Sequence, residues 1–70
     1  MQRKDVSSSM IRSIGHDSAT SVLEIEFISG AVWQYFNFSE SAWYEFESAG
    51  SHGKYFHANI KGSYPESQIG

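Results

Sequence analysis

The sequence predicts a small α+β domain: a three-stranded antiparallel β-meander followed by two C-terminal helices that pack on one face of the sheet (β-β-β-α-α). Two patterns predict this order, because apolar and polar residues alternate in the middle of the chain and recur at helical spacing after residue 39. The length, 70 residues, allows one small core that large side chains must fill. Residues 1–70 are therefore predicted to be a single domain with flexible ends at 1–5 and 66–70.

Three segments are predicted to form the strands. Residues 10–14 suit a short first strand, and residues 15–20 contain the glycine, aspartate and serine typical of a turn. Residues 21–27 alternate leucine, isoleucine and phenylalanine on one face with two glutamates on the other, as a half-buried strand does. The aromatic stretch that begins at Ala31 supplies the third strand.

The pairing of the second and third strands decides where the aromatic rings lie. If residues 28–30 form a three-residue loop with its glycine in the left-handed region, Ile25 faces Trp33 and Leu23 faces Tyr35. A two-residue loop would slip the register and set the rings on the face of the glutamates. The first register is preferred. It favours core packing for the two rings over the alternative, a base-stacking platform on the sheet.

Two helix starts follow the third strand. Ser39 is predicted to cap the first helix, and Gly50 to end it in a left-handed conformation. Ser51 is then placed to cap a second, short helix that runs through residue 59, with Gly62 as its stop.

Composition excludes several classes of protein. The chain has no cysteine, which removes disulfides, cysteine-ligated zinc and iron–sulfur clusters, and we expect a cytoplasmic location without signal peptide, membrane span or cofactor. The net charge of −3 argues against strong electrostatic binding of nucleic acid. The charge is uneven, however. Residues 17–47 hold six carboxylates and no lysine or arginine, whereas the segments on either side are basic.

The best candidate binding site is the segment 51–54, Ser-His-Gly-Lys. A helix N-terminus offers free backbone amides to an anion, Gly53 permits close approach, and Lys54 adds positive charge. The alternative is an ordinary capped helix, since the string lacks the upstream glycine and spacing of a P-loop. The candidate residues for binding nucleic acid or an anion are Arg12, Ser51, His52, Gly53, Lys54, His57 and Lys61.

Other chemistry-bearing residues have simpler interpretations. Phe36 has the opposite parity to Trp33 and Tyr35, so it is the better candidate for an exposed ring. The three histidines have no carboxylate at regular ligand spacing, which predicts solvent-facing side chains and no metal site. No nucleophile-elbow motif is present, so we expect no enzyme activity and no catalytic residues. The triple serine 7–9 is expected to hydrogen-bond the backbone at a strand start.

Several short motifs in this order resemble the KTSC domain, a family named for the C-terminus of some lysyl-tRNA synthetases that also occurs as small stand-alone bacterial and phage-type proteins. They are Val6-Ser7-Ser8-Ser9-Met10-Ile11, Leu23-x-Ile25-x-Phe27-x-x-Gly30, Trp33-Gln34-Tyr35 and Ser51-His52-Gly53-Lys54-Tyr55-Phe56-His57-x-Asn59-Ile60. Trp33 replaces the first tyrosine of the family's Tyr-x-Tyr motif, and His57 stands where asparagine is expected. The family has no established function, and its synthetase context suggests RNA binding.

The function expected from the sequence is that of a small non-enzymatic binding module. It would bind RNA or single-stranded nucleic acid weakly, through a basic rim and aromatic residues. The alternative is a protein–protein interaction module of a small bacterial or phage protein, in which the acidic middle or an aromatic patch meets a partner chain. No membrane partner is expected, and the oligomeric state is left open.

Overall fold

The computed structural model describes residues 1–70 as a sheet with helices on one face. In chain order the elements are β1 (Lys4–Asp5), β2 (Ile11–Asp17), β3 (Val22–Phe27), β4 (Val32–Phe36), α1 (Glu40–Glu47), α2 (His52–Tyr55), a π-helical turn that continues α2 (Phe56–Ile60), and β5 (Glu66–Gln68). The five strands form one antiparallel sheet in the order β1-β2-β3-β4-β5. The helices are too short to cross a membrane.

The α+β class is confirmed, but the predicted three-stranded meander is two strands short. The additional strands are the edges, since Lys4 pairs with Ile14 across β1 and β2, and Glu66 pairs with Tyr35 across β5 and β4. Both edges lie within the chain ends predicted to be flexible, 1–5 and 66–70. Each has only two or three residues, all polar or charged and exposed, and therefore shows no alternation. They form because β2 and β4 would otherwise present unpaired backbone groups.

The predicted turn at residues 15–20 begins too early. β2 continues to Asp17, because Gly15, His16 and Asp17 all pair with β3. This extension matters for the core, since it places the His16 side chain on the same face as Leu23.

The predicted register of the central hairpin is confirmed. Ile25 pairs with Trp33 and Leu23 with Tyr35, and Gly30 has a φ of 97°. Both rings consequently lie on the helix-covered face. Tyr35 is 2% exposed and Trp33 is half-buried against the core, so the structure does not present them as a stacking platform.

The core lies between this face of the sheet and the helices. Its nine buried members come from strands, helices and the connection before α1: Ile11, Ile14, Leu23, Ile25, Tyr35, Phe38, Phe46, Phe56 and Ile60. The aromatic rings meet mostly edge to face. Phe56, for example, contacts Phe27 and Tyr35 at centroid distances of 5.4 and 5.8 Å.

Three of the four predicted helix-boundary residues have the predicted role. The Ser39 hydroxyl accepts a hydrogen bond from the Ala42 amide at 3.1 Å, and Ser51 does the same for Lys54 at 3.2 Å. Gly62 follows the second helix with a φ of 78°. The prediction for Gly50 is wrong: α1 ends earlier, at Ser48, whose hydroxyl donates to the Tyr44 carbonyl at 2.7 Å, and no left-handed residue is needed there.

The outer face of the sheet has no helix over it and carries a polar network. Arg3 forms a salt bridge with Glu24, which also accepts a hydrogen bond from the Gln34 amide at 3.0 Å. Arg3 reaches this position because the N-terminal segment crosses Gly15 closely. A Cβ at Gly15 would lie 2.5 Å from the Gln2 carbonyl oxygen and 3.0 Å from Cγ of Arg3.

Gly15→Ala should therefore destabilise the domain, by about 1–3 kcal/mol, because the added methyl group displaces the N-terminal segment from the sheet. Urea denaturation measures the change in the free energy of unfolding. Gly50→Ala is the matched control, since a Cβ there meets nothing within 4 Å. Equal stability of the two variants would show that the close crossing at Gly15 is not a constraint.

Tyr35 should make the domain sensitive to alkaline pH. Burial in the core, together with the nearby Glu66 carboxylate, raises the pKa of Tyr35 to about 12. An unfolded tyrosine ionises near pH 10, so between about pH 10 and 12 the unfolded state loses this proton first and the free energy of unfolding falls as pH rises. Below pH 10 the phenol is neutral in both states and has no such effect.

Tyr35→Phe should reduce this alkaline loss of stability, whereas Tyr44→Phe, at an exposed position, should leave it unchanged. Urea denaturation at pH 8 and pH 10.5 provides the comparison. An identical loss in wild type and Tyr35→Phe would contradict the assigned role of the phenol.

Candidate functional site

A surface groove forms where two distant segments of the chain meet. Residues 7–10, which connect β1 to β2, line one side, and six residues between positions 50 and 58 line the other. The groove encloses about 740 Å³. Four of its ten lining residues are serines, Ser7, Ser8, Ser9 and Ser51, and we call it the serine groove.

Local hydrogen bonds shape both sides of the serine groove. The Ser8 hydroxyl accepts from the amides of Met10 and Ile11, each at 3.2 Å, and thereby folds the connection before β2. This confirms the backbone-bonding role predicted for the triple serine, at its middle member. A Cβ at Gly53 would lie 3.7 Å from both Ser8 Oγ and Met10 Cε, so the beginning of α2 sits directly against this connection.

The π-helical turn anchors the second side of the groove to the core. The Lys61 amide donates to the Phe56 carbonyl at 2.9 Å, and this wider turn places both Phe56 and Ile60 among the buried residues. His57, which follows Phe56 directly, is exposed and lines the groove.

A hydrogen bond between side chains joins α2 to α1. The Tyr55 hydroxyl donates to the Glu45 carboxylate at 3.0 Å. Partial burial and this hydrogen bond raise the pKa of Tyr55, which favours the protonated phenol that donates to Glu45. The contact steadies α2 on the side that does not face the groove.

The lining of the serine groove contains no negatively charged side chain. Lys54 and His57 are the ionisable residues that line it, and no carboxylate does. The other acidic and basic groups are partly paired elsewhere: Lys4 bonds Glu47 at 2.9 Å, and Arg3 bonds the outer-face glutamates. The three basic side chains that form no salt bridge are Arg12, Lys54 and Lys61.

The structure brings together some of the residues predicted for a binding site and separates others. Ser51, Gly53, Lys54 and His57 line the groove. His52 does not, because its Nε2 lies 3.2 Å from the Glu47 carbonyl and its ring packs edge-on against Phe46. The two remaining residues, Arg12 and Lys61, are exposed but lie outside the groove lining.

Residues 7–10 were missed as part of the candidate site by sequence reasoning. Their only signal is the run of three serines, which the backbone role of Ser8 already explains. No sequence pattern indicates that these serines lie beside Gly53, which is more than forty residues later in the chain.

Two of the three histidines, His16 and His52, differ from the solvent-facing side chains predicted, whereas His57 agrees. His16 places Nε2 2.8 Å from the Phe38 carbonyl oxygen and stacks on Trp43 with a centroid distance of 5.5 Å and an interplanar angle of 12°. The extension of β2 causes this, because it points His16 into the helix face. His57 alone is exposed. No group of three or more histidine, aspartate or glutamate side chains is arranged to hold a metal ion.

The aromatic residues singled out from the sequence lie away from the groove. Trp33 and Tyr35 face the helices, and Phe36 lies half-buried on the outer face, opposite Val22. The ring of His57 is the one flat ring in the groove lining.

Comparisons with protein families, with known sequences and with solved structures agree with one another. The family model of the KTSC domain matches residues 7–64, a range that contains every residue lining the serine groove. Lysine–tRNA ligases of Trichormus variabilis and Nostoc punctiforme are 38% and 34% identical over 61 residues, which cover 87% of this chain and 11% of each ligase. The chain thus spans about a tenth of the length of these relatives.

A solved structure agrees over nearly the full chain. The crystal structure of a KTSC domain protein from Yersinia pestis superposes with a TM-score of 0.96 at 43% sequence identity, covering 99% of this chain and 97% of that one. Since the family match also extends over most of the sequence and over both sides of the groove, the chain belongs to the KTSC domain family.

Proposed function

We propose that this domain is a non-enzymatic binding module that binds RNA or single-stranded nucleic acid weakly at the serine groove. The observation that carries the proposal is the charge of the groove. In a chain of net charge −3, it joins Lys54 and His57 to several hydroxyl groups without a carboxylate in its lining. Such a surface suits phosphate groups, which accept hydrogen bonds and carry negative charge.

The negative charge of the chain is concentrated elsewhere. The strand register places Asp5, Asp17, Glu24 and Glu26 on the outer face of the sheet with Arg3, and these five side chains sum to −3. Half of the eight carboxylates of the chain therefore lie on the outer face of the sheet. None of these four carboxylates lines the groove in which a polyanion would bind.

The relatives support RNA as the ligand class. Lysine–tRNA ligases act on a tRNA by their name, and segments of two of them align with 87% of this chain. A domain that forms part of a tRNA ligase lies close to the RNA on which the ligase acts.

Binding should be weak and depend moderately on salt. One lysine and one histidine contact one or two phosphates, and each neutralised phosphate of a single strand contributes a slope of about −0.7 to log K against log salt. We therefore expect a slope of about −1, far shallower than that of a dedicated basic nucleic-acid binder.

A protein-interaction module is the second candidate function. One specific observation favours it: no helix covers the outer face of the sheet, which combines acidic side chains with the half-buried Phe36 ring. A partner chain held there would contact the network around Glu24 and leave the serine groove free.

Lys54→Ala should weaken binding of a six-nucleotide single-stranded RNA several-fold without unfolding the domain, because Lys54 is exposed and forms no salt bridge. Fluorescence anisotropy at low salt with labelled oligomer measures the affinity. Lys61→Ala is the matched control: it removes the same charge from outside the groove lining and should have a smaller effect. Equal affinities of wild type and Lys54→Ala would refute the groove as the binding site.

Gly53→Ala should separate stability from binding. Alanine at this helical position reduces the freedom of the unfolded chain and should raise the free energy of unfolding by about 0.4–1 kcal/mol, since the methyl group meets Ser8 and Met10 only at ordinary contact distance. The same methyl group narrows the groove and should weaken RNA binding. Urea denaturation and anisotropy provide the two readouts. Unchanged affinity in a stabilised variant would mean that the ligand does not enter the groove beside Gly53.

A further inference from the structure

The lining of the serine groove is poorly suited to reading bases. Proteins that bind single strands through their bases stack them on aromatic rings or arginine planes. Here Trp33, Tyr35 and Phe36 lie elsewhere, and His57 is the one ring available. Ligand recognition in the groove must therefore come mainly from its hydroxyl groups and Lys54, which match the sugar–phosphate backbone of a nucleic acid.

The four serines of the groove differ in what their hydroxyls already do. Ser8 and Ser51 accept hydrogen bonds from backbone amides and hold the two sides in shape. Ser7 and Ser9 are exposed, and their hydroxyls have no hydrogen-bond partner within the chain. A serine hydroxyl both donates and accepts, and so does the 2′-hydroxyl of ribose, which deoxyribose lacks.

We propose that the serine groove binds the backbone of a short RNA segment, and that the hydroxyls of Ser7 and Ser9 distinguish ribose from deoxyribose. This inference rests on the proposed function and names its substrate class. Lys54 supplies attraction for the phosphate, which RNA and DNA share, whereas Ser7 and Ser9 bond the group in which the two differ. Selectivity for the sugar and independence of base sequence are the consequences.

Two hexanucleotides that differ only at the 2′ position, oligouridylate and oligodeoxyuridylate, test the inference. Wild type should prefer the ribose form by about two- to tenfold, the range of one net neutral hydrogen bond. The double variant Ser7→Ala/Ser9→Ala should bring the ratio of the two dissociation constants close to one. The control Ser18→Ala/Ser63→Ala removes two exposed serines outside the groove lining and should keep the wild-type ratio.

The outcomes separate the inference from the function on which it rests. Equal affinity of wild type for the two oligomers, with binding that still depends on Lys54, would overturn sugar selectivity and leave the nucleic-acid module standing. A ribose preference that survives in Ser7→Ala/Ser9→Ala would also overturn it, because the preference would then come from sugar conformation. Binding that is indifferent to Lys54→Ala would overturn the proposed function together with the inference. Replacing oligouridylate by oligoadenylate should change the wild-type affinity little, and a large change would show that bases are read.

Discussion

The register of β3 against β4 is the constraint on which the rest of the structure depends. It sets Leu23 and Ile25 beside Tyr35 and Trp33 on one face and leaves the glutamates between them on the other. A slip of one residue would instead set the rings on the same face as the glutamates. Gly30, with its positive φ, provides the turn that holds this pairing.

The register of β3 against β4 also determines where the candidate site lies, because core residues connect the sheet to α2. Tyr35 and Phe27 lie beneath Phe56, whose ring contacts both edge-on, and Phe56 fixes the π-helical turn that follows α2. Because Phe56 and Ile60 are buried, the intervening residues and the start of α2 are directed to the surface. Lys54 and His57 thereby face the serines of residues 7–10. The packing of Phe56 on the sheet therefore sets the position of the serine groove, although none of the aromatic rings of the sheet lines the groove.

The central part of the fold could be predicted from the sequence because its signals are local. Alternation identifies β3, and Ser39 and Ser51 mark helix starts whose caps the structure contains. The edge strands could not be predicted in this way, since β1 and β5 are too short and polar to show a pattern and form by pairing with neighbours. The glycine at position 50 predicted the wrong end for α1, because Ser48 caps this helix two residues earlier.

The candidate site was predictable only on one side. Ser51, Gly53, Lys54 and His57 are close in sequence and carry recognisable chemistry, but their placement opposite residues 7–10 follows from how the sheet and α2 pack. His52 and His16 show the same limit, since each bonds a backbone carbonyl that no sequence pattern identifies. Spacing indicates which side chains are available, and tertiary packing decides which of them meet.

Mapping of amide chemical shifts by NMR would show directly whether nucleic acid binds at the serine groove. Titration of the ¹⁵N-labelled domain with a single-stranded RNA hexamer should shift the amides of residues 7–10 and 50–58 in a saturable manner, while those of Glu24 and Gln34 on the outer face stay in place. Shifts confined to the outer face, or no saturable shift at the groove, would show that nucleic acid does not bind at the serine groove.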